Sequence, residues 1–140
     1  MIMYQIKSSD LLSGQGVAKE LTNIEIVKKI ADMASESKQH YLLAFFSSVY
    51  KIEFAFDKAN DTCLYILIEK SHKTDAHNIH VEFTDDILIF EKDIDSITNK
   101  FNVDKLHGES IRIGDVELYF DENKVDSLYY LPAGSSNALR

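Results

Sequence analysis

His72, His77 and His80 stand close together in the sequence, with Asp75 and Glu82 beside them. Imidazole and carboxylate are the ligand types of zinc and its neighbours. The spacing is poor for a site, because a separation of three suits a helix and this stretch reads as a loop entering a strand. On that strand His80 and Glu82 share the face opposite Ile79, Val81 and Phe83. Asp85-Asp86 and Asp93-Ile94-Asp95 resemble aspartate-rich metal loops, but the glycine and the closing glutamate of a calcium loop are not in place. A turn followed by a helix cap explains them. His107-Gly108-Glu109-Ser110 holds residue types of a catalytic triad, yet adjacency in sequence is not triad geometry; it reads as a loop before a strand. Cys63 is the single cysteine, so no internal disulfide forms. It lies in the apolar run 63–68, where a thiol is inert for want of an accessible, electropositive setting. Ser13-Gly14-Gln15-Gly16 is a turn, not a phosphate loop, since no Gly-Lys-Ser/Thr follows. No catalytic residue, metal or cofactor is assigned from these patterns.

The remaining chemistry is charge. Between Glu82 and Asp126 there are thirteen acidic residues against five basic ones, and the rest of the chain is neutral, so the whole net charge of −8 sits in that third. A confined excess is a local field that steers partners. It disfavours nucleic acid and anionic membranes, which need lysine and arginine, and it favours a basic protein. If Val116, Leu118 and Phe120 face the core, then Asp115, Glu117, Tyr119 and Asp121 face away from it. Glu122, Asp126 and one of Tyr129 or Tyr130 lie close by. Tyrosine supplies rigid contact area, and carboxylates give fast, salt-sensitive association. Glu117, Tyr119, Asp121, Glu122 and Asp126 are therefore the expected partner-binding residues, with Asp85 and Asp86 as extensions. Reversing Glu117 and Asp121 to lysine is expected to abolish binding without unfolding.

The elements that must position these residues follow from periodicity. Thr22 and Glu25 form a capping box. Ile26, Val27, Ile30, Ala31, Met33 and Ala34 then make a stripe at helical spacing, which predicts one long helix to about Ser37. From Tyr41 the period becomes two: 41–46 is apolar on both faces and reads as a central strand, 51–57 as a half-buried strand, and 62–69 as the sheet centre. Residues 2–7 form a short strand or arm. Ile79 to Phe83 and Ile87 to Phe90 read as strands around a turn at 84–86, and Asp93 caps a short helix to about Phe101. Residues 111–113, 116–120 and 125–130 are strands joined by turns at Gly114-Asp115 and 121–124. The expectation is an α+β domain over 1–131. Its mainly antiparallel sheet has about six to eight strands, with the long N-terminal helix on one face and a second short helix; a two-layer sheet and a strongly curved half-barrel both satisfy the pattern. A flexible tail is expected over 132–140. With no signal-peptide pattern and no apolar run long enough to cross a bilayer, a cytoplasmic protein is expected.

The segment from Ile111 through Arg112, Gly114-Asp115, Glu117, Tyr119 and Asp121-Glu122-Asn123-Lys124 to Tyr130 resembles the closing hairpins of small bacterial immunity proteins, which bind and block polymorphic or contact-dependent toxins. The resemblance covers about a seventh of the chain. It implies a non-enzymatic protein that binds and blocks a toxin; the acidic surface then points to a basic toxin domain such as a nuclease, with a monomer slightly favoured over a dimer. Alternatives are a secretion-type chaperone or adaptor, which would want a second long helix and an exposed apolar groove, and a metal-dependent enzyme using the His72–Glu82 segment.

Overall fold

The computed structural model describes residues 3–71, 80–103 and 110–132. In chain order the strands are β1 (Tyr4–Lys7), β2 (Met33–Glu36), β3 (His40–Ser47), β4 (Tyr50–Asp57), β5 (Cys63–Lys70), β6 (Val81–Thr84), β7 (Ser110–Ile113), β8 (Val116–Asp121) and β9 (Lys124–Tyr130). The helices are α1 (Ser8–Leu12), α2 (Ile24–Ile30) and α3 (Ile94–Phe101), with 3-10 turns at Lys19–Thr22 and Ile89–Glu91. Seven strands form one antiparallel sheet in the order β2-β3-β4-β5-β9-β8-β7, while β1 and β6 pair in parallel. The class is α+β, as the alternation predicted, and β5 holds the middle of the large sheet.

Register sorts the side chains. Because residues alternate across a strand, Ile113, Val116, Tyr130, Ile66, Phe54 and Leu43 form one cross-strand row on the core face. Ile111, Leu118, Leu128, Ile68, Ile52 and Phe45 form the next. Leu11, Leu21, Ile24, Val27, Val81, Phe83, Ile89, Phe90, Ile94 and Ile97 close over these rows to complete one core. Each such side chain contributes about 1.5–3 kcal/mol when fully buried. Phe83 donates its amide to Ser47 Oγ (3.2 Å), which ties β6 to the end of β3.

Two expected elements differ. The long helix is short. Thr22 donates its hydroxyl to the Lys19 carbonyl instead of capping, and Asn23 accepts the Glu25 amide (2.9 Å). The helix stops at Ile30, and Ala31 is extended. Asp32 then donates its amide to the Ala44 carbonyl (2.9 Å), and its carboxylate accepts the Phe46 amide (3.0 Å). Residues 33–36 continue as β2, paired with Tyr41–Ala44. Satisfying a strand edge outweighs a few tenths of a kcal/mol of helix propensity. The expected strand at Ile87–Phe90 is instead a turn. Leu88 takes a left-handed conformation (φ 54°), and Ile89–Glu91 coil as a 3-10 helix. Asp93 caps α3 as expected, accepting the Ser96 amide (2.8 Å), and Asn102 closes it in the left-handed region. The tail proposed from 132 lies outside the described residues apart from Pro132.

Candidate functional site

The outer face of the large sheet carries Glu117 and Tyr119, two of the residues expected to bind a partner. One row crosses all seven strands: Arg112, Glu117, Tyr129, Leu67, Glu53, Ala44 and Met33. Beside it run Tyr119, Ser127, Glu69 and Lys51. Tyr65 lies on the same face, next to Glu53. Strand order thus gathers three tyrosines that are far apart in sequence. Tyr65 and Tyr129 meet edge to face with ring centres 5.3 Å apart, and Tyr129 and Tyr119 do so at 5.4 Å. Such pairs favour edge contact because ring edges are positive and faces negative. None of the three joins the core cluster or packs against it.

Carboxylates hold this ladder. Tyr119 donates its hydroxyl to Glu117 Oε2 (3.0 Å), and Tyr65 donates to Glu53 Oε2 (3.5 Å). Burial, followed by the Glu117 hydrogen bond, pushes the Tyr119 hydroxyl up to about 12. Burial and the Glu53 charge push Tyr65 up to about 12 as well. Tyr129 is raised by burial and then by Glu69, Glu53 and Glu117. All three hydroxyls stay protonated at neutral pH, so they are available as donors. Lys51 pairs with Glu53 (3.5 Å).

The expected acids fall into three states. Glu117 is not an open acid: it is 8% exposed and forms an ion pair with Arg112 (Nη1 to Oε1, 3.2 Å). The two-residue turn at Gly114-Asp115 sets Arg112 directly opposite it. A lysine at 117 would place like charges together in a half-buried site, so the Glu117→Lys reversal is expected to disturb the fold, contrary to the first expectation. Asp85 and Asp86 are likewise engaged within the chain. Asp85 accepts the Ile89 amide (2.7 Å), the Phe90 amide (2.9 Å) and the Ser8 hydroxyl (2.7 Å). Asp86 accepts the Ser9 amide (3.0 Å), the Ser9 hydroxyl and the Ser8 hydroxyl (3.1 Å). Those Ser9 bonds hold the Asp86 carboxyl below the usual aspartate range. Together the two acids fasten α1 to the turn after β6.

Asp121, Glu122 and Asp126 remain open. All three are exposed on the β8–β9 hairpin. Among the described residues none has a side-chain hydrogen bond or ion pair. Glu122 (φ 50°) and Asn123 (φ 69°) form the two-residue turn, whose positive φ values match the twist of the flanking strands. Tyr119, 37% exposed, stands on the same hairpin.

The histidine segment offers less. His72, Asp75 and His77 lie outside the described residues, as do His107 and Glu109. His80 accepts the Met3 and Tyr4 amides at its carbonyl, and Glu82 accepts a bond from Gln5 (3.2 Å). Among the described residues no three His, Cys, Asp or Glu side chains converge as a metal site. Burial pushes the Cys63 thiol up to about 12, which suits the inert role expected of it.

No family model matches this chain, and no curated protein matches it. Among solved structures it is similar to a cysteine-rich secretory protein from Staphylococcus aureus, at 14% identity and a TM-score of 0.50. The match covers 80% of this chain and 44% of that one, so the chain spans less than half of that protein's length. At this identity the likeness concerns the fold alone.

Proposed function

We propose that this chain is a non-enzymatic binding protein, a cytoplasmic bacterial immunity protein that neutralises a basic toxin domain, in the first instance a nuclease. The observation that carries the reading is the tyrosine ladder of Tyr65, Tyr129 and Tyr119 lying beside the open carboxylates of Asp121, Glu122 and Asp126. A nuclease holds phosphate with lysine and arginine. Carboxylates on a rigid hairpin match those cations, and they speed encounter through long-range attraction. The tyrosines supply contact area that loses little entropy on binding, with hydroxyls protonated at neutral pH. Glu117 and Arg112 act within this reading as the brace that orients Tyr119, not as the charge presented to the partner.

The test uses the chain and the product of a toxin gene beside its own. A one-to-one complex that suppresses nuclease activity is expected, with affinity falling at least tenfold between low and moderate salt. The triple variant Asp121→Lys/Glu122→Lys/Asp126→Lys should bind at least a hundredfold more weakly while keeping its fold, a loss of about 2.7 kcal/mol. An affinity indifferent to these reversals sinks this surface. Absence of any complex with the toxin sinks the reading.

A further inference from the structure

We infer that a notch on the outer face of the large sheet takes one arginine side chain of the partner, with Ser127 at its floor, Tyr119 and Tyr129 as walls and Glu69 as the counter-charge. The partner meant is the basic domain proposed above, and the arginine site rests on that reading.

Register builds the notch. Ser127 of β9 stands directly opposite Tyr119 of β8 on one side and Glu69 of β5 on the other. Tyr119 and Glu69 are therefore two strand spacings apart, about 10 Å. The small side chain between them is buried, so the row dips there. Tyr129 follows Ser127 by two residues on β9, shares its face and closes one end of the dip. Diagonal neighbours on a sheet lie within reach of long side chains, which sets Glu69 beside Tyr129. After burial, the Glu69 charge is the first of three carboxylate influences that raise the Tyr129 hydroxyl. That hydroxyl has no hydrogen bond among the described residues.

Charge then selects the occupant. Three carboxylates border the tyrosine ladder: Glu53, Glu69 and Glu117. Glu53 pairs with Lys51 (3.5 Å), and Glu117 pairs with Arg112 (3.2 Å). Lys51 stands directly across from Glu69 in the register, yet its ammonium goes to Glu53. Glu69 is half-buried and makes no side-chain hydrogen bond or ion pair among the described residues. One carboxylate next to aromatic rings is thus left for one cation. A guanidinium suits this setting better than an ammonium. It is planar and weakly hydrated, it stacks on rings, and it gives two parallel N–H bonds to one carboxylate. An arginine seated there carries the contact from the acidic hairpin to β5, at the middle of the sheet.

Short peptides probe the notch on the whole chain. Amide NMR at physiological salt would follow the capped tripeptides Gly-Arg-Gly, Gly-Lys-Gly and Gly-citrulline-Gly. Gly-Arg-Gly is expected to bind in the millimolar range and to move the signals of Glu69, Ser127 and Tyr129. Gly-Lys-Gly should bind about fivefold more weakly, and the uncharged citrulline peptide should leave the signals in place. Glu69→Gln should weaken Gly-Arg-Gly about tenfold. Tyr119→Leu keeps every charge in place and should still weaken it about threefold, a loss that charge attraction alone does not produce. Circular dichroism should be unchanged in both variants. Equal binding of the arginine and lysine peptides overturns the arginine site. So does indifference to Glu69→Gln, or movement confined to signals of the 121–126 hairpin. In a complex with the toxin, Glu69→Gln should also cost about tenfold in affinity. A tight complex that ignores Glu69→Gln overturns the site and leaves the immunity reading standing. Peptide binding as expected, with no toxin complex, overturns that reading and leaves the site.

Discussion

The turn at Asp85-Asp86 and the hairpin at 121–126 look alike as sequence: each sets paired acids in a polar turn between apolar runs. In the fold they are opposites. Asp85 and Asp86 receive six hydrogen bonds from amides and hydroxyls of α1 and of the turn at 89–90. Asp121, Glu122 and Asp126 receive none among the described residues. Glu117 stands between the two cases, since it is paired and nearly buried yet holds the tyrosine that faces outward. What separates a structural carboxylate from an open one is the donors within reach, and local charge density does not report them.

Substitutions should separate the two groups cleanly. The largest loss is expected for Asp85→Ala, which strands the Ile89 and Phe90 amides and the Ser8 hydroxyl beside the core. Denaturant unfolding should show about 2–4 kcal/mol less stability. A loss under about 0.5 kcal/mol, the scale of ordinary surface changes, would erase the distinction. Next comes Arg112→Ala, which leaves Glu117 nearly buried without its cation; denaturant unfolding should show about 1–3 kcal/mol less stability.

A third contrast is in pH. The Asp86 carboxyl lies below its unfolded value in the native state, so its contribution is complete above the ordinary aspartate range. It is lost as pH falls through the depressed native value. Melting temperature followed from neutral to strongly acid pH should therefore fall less steeply in Asp86→Asn than in the parent. An identical acid limb would contradict the assignment. The smallest stability effect belongs to Asp121→Lys, Glu122→Lys and Asp126→Lys, each expected within about 0.5 kcal/mol of the parent. Their effect should appear in partner association alone.

Much of the fold was legible because β4 and β7 to β9 alternate with period two, β3 and β5 are apolar on both faces as inner strands are, and short turns join β3 to β5 and β7 to β9, so local pattern and final pairing agree. The Asp93 cap was legible for the same local reason. The stretch from Thr22 to Ser37 misled because Met33 and Ala34 continue the helical stripe. Their strand fate depends on β3 needing a partner, which no window around residue 33 contains. Ile87–Phe90 misled because Asp85 reaches forward to the amides at 89 and 90 and coils a run whose composition favours a strand. At the site, Tyr119 was placed on the correct face by alternation alone. The Arg112–Glu117 pair follows from the length of the Gly114-Asp115 turn. The gathering of Tyr65 with Tyr129 was not readable, because it depends on β5 lying beside β9, a contact between strands some sixty residues apart.

Cys63 stands at the first position of β5, the strand with three neighbours on each side. Its thiol is 3% exposed and ionises only near pH 12, so a thiol reagent at neutral pH meets almost no thiolate in the native molecule. Labelling must wait until β5 leaves its neighbours. The chain thus carries its own clock for the opening of its innermost ladder, readable by mass spectrometry without adding a probe.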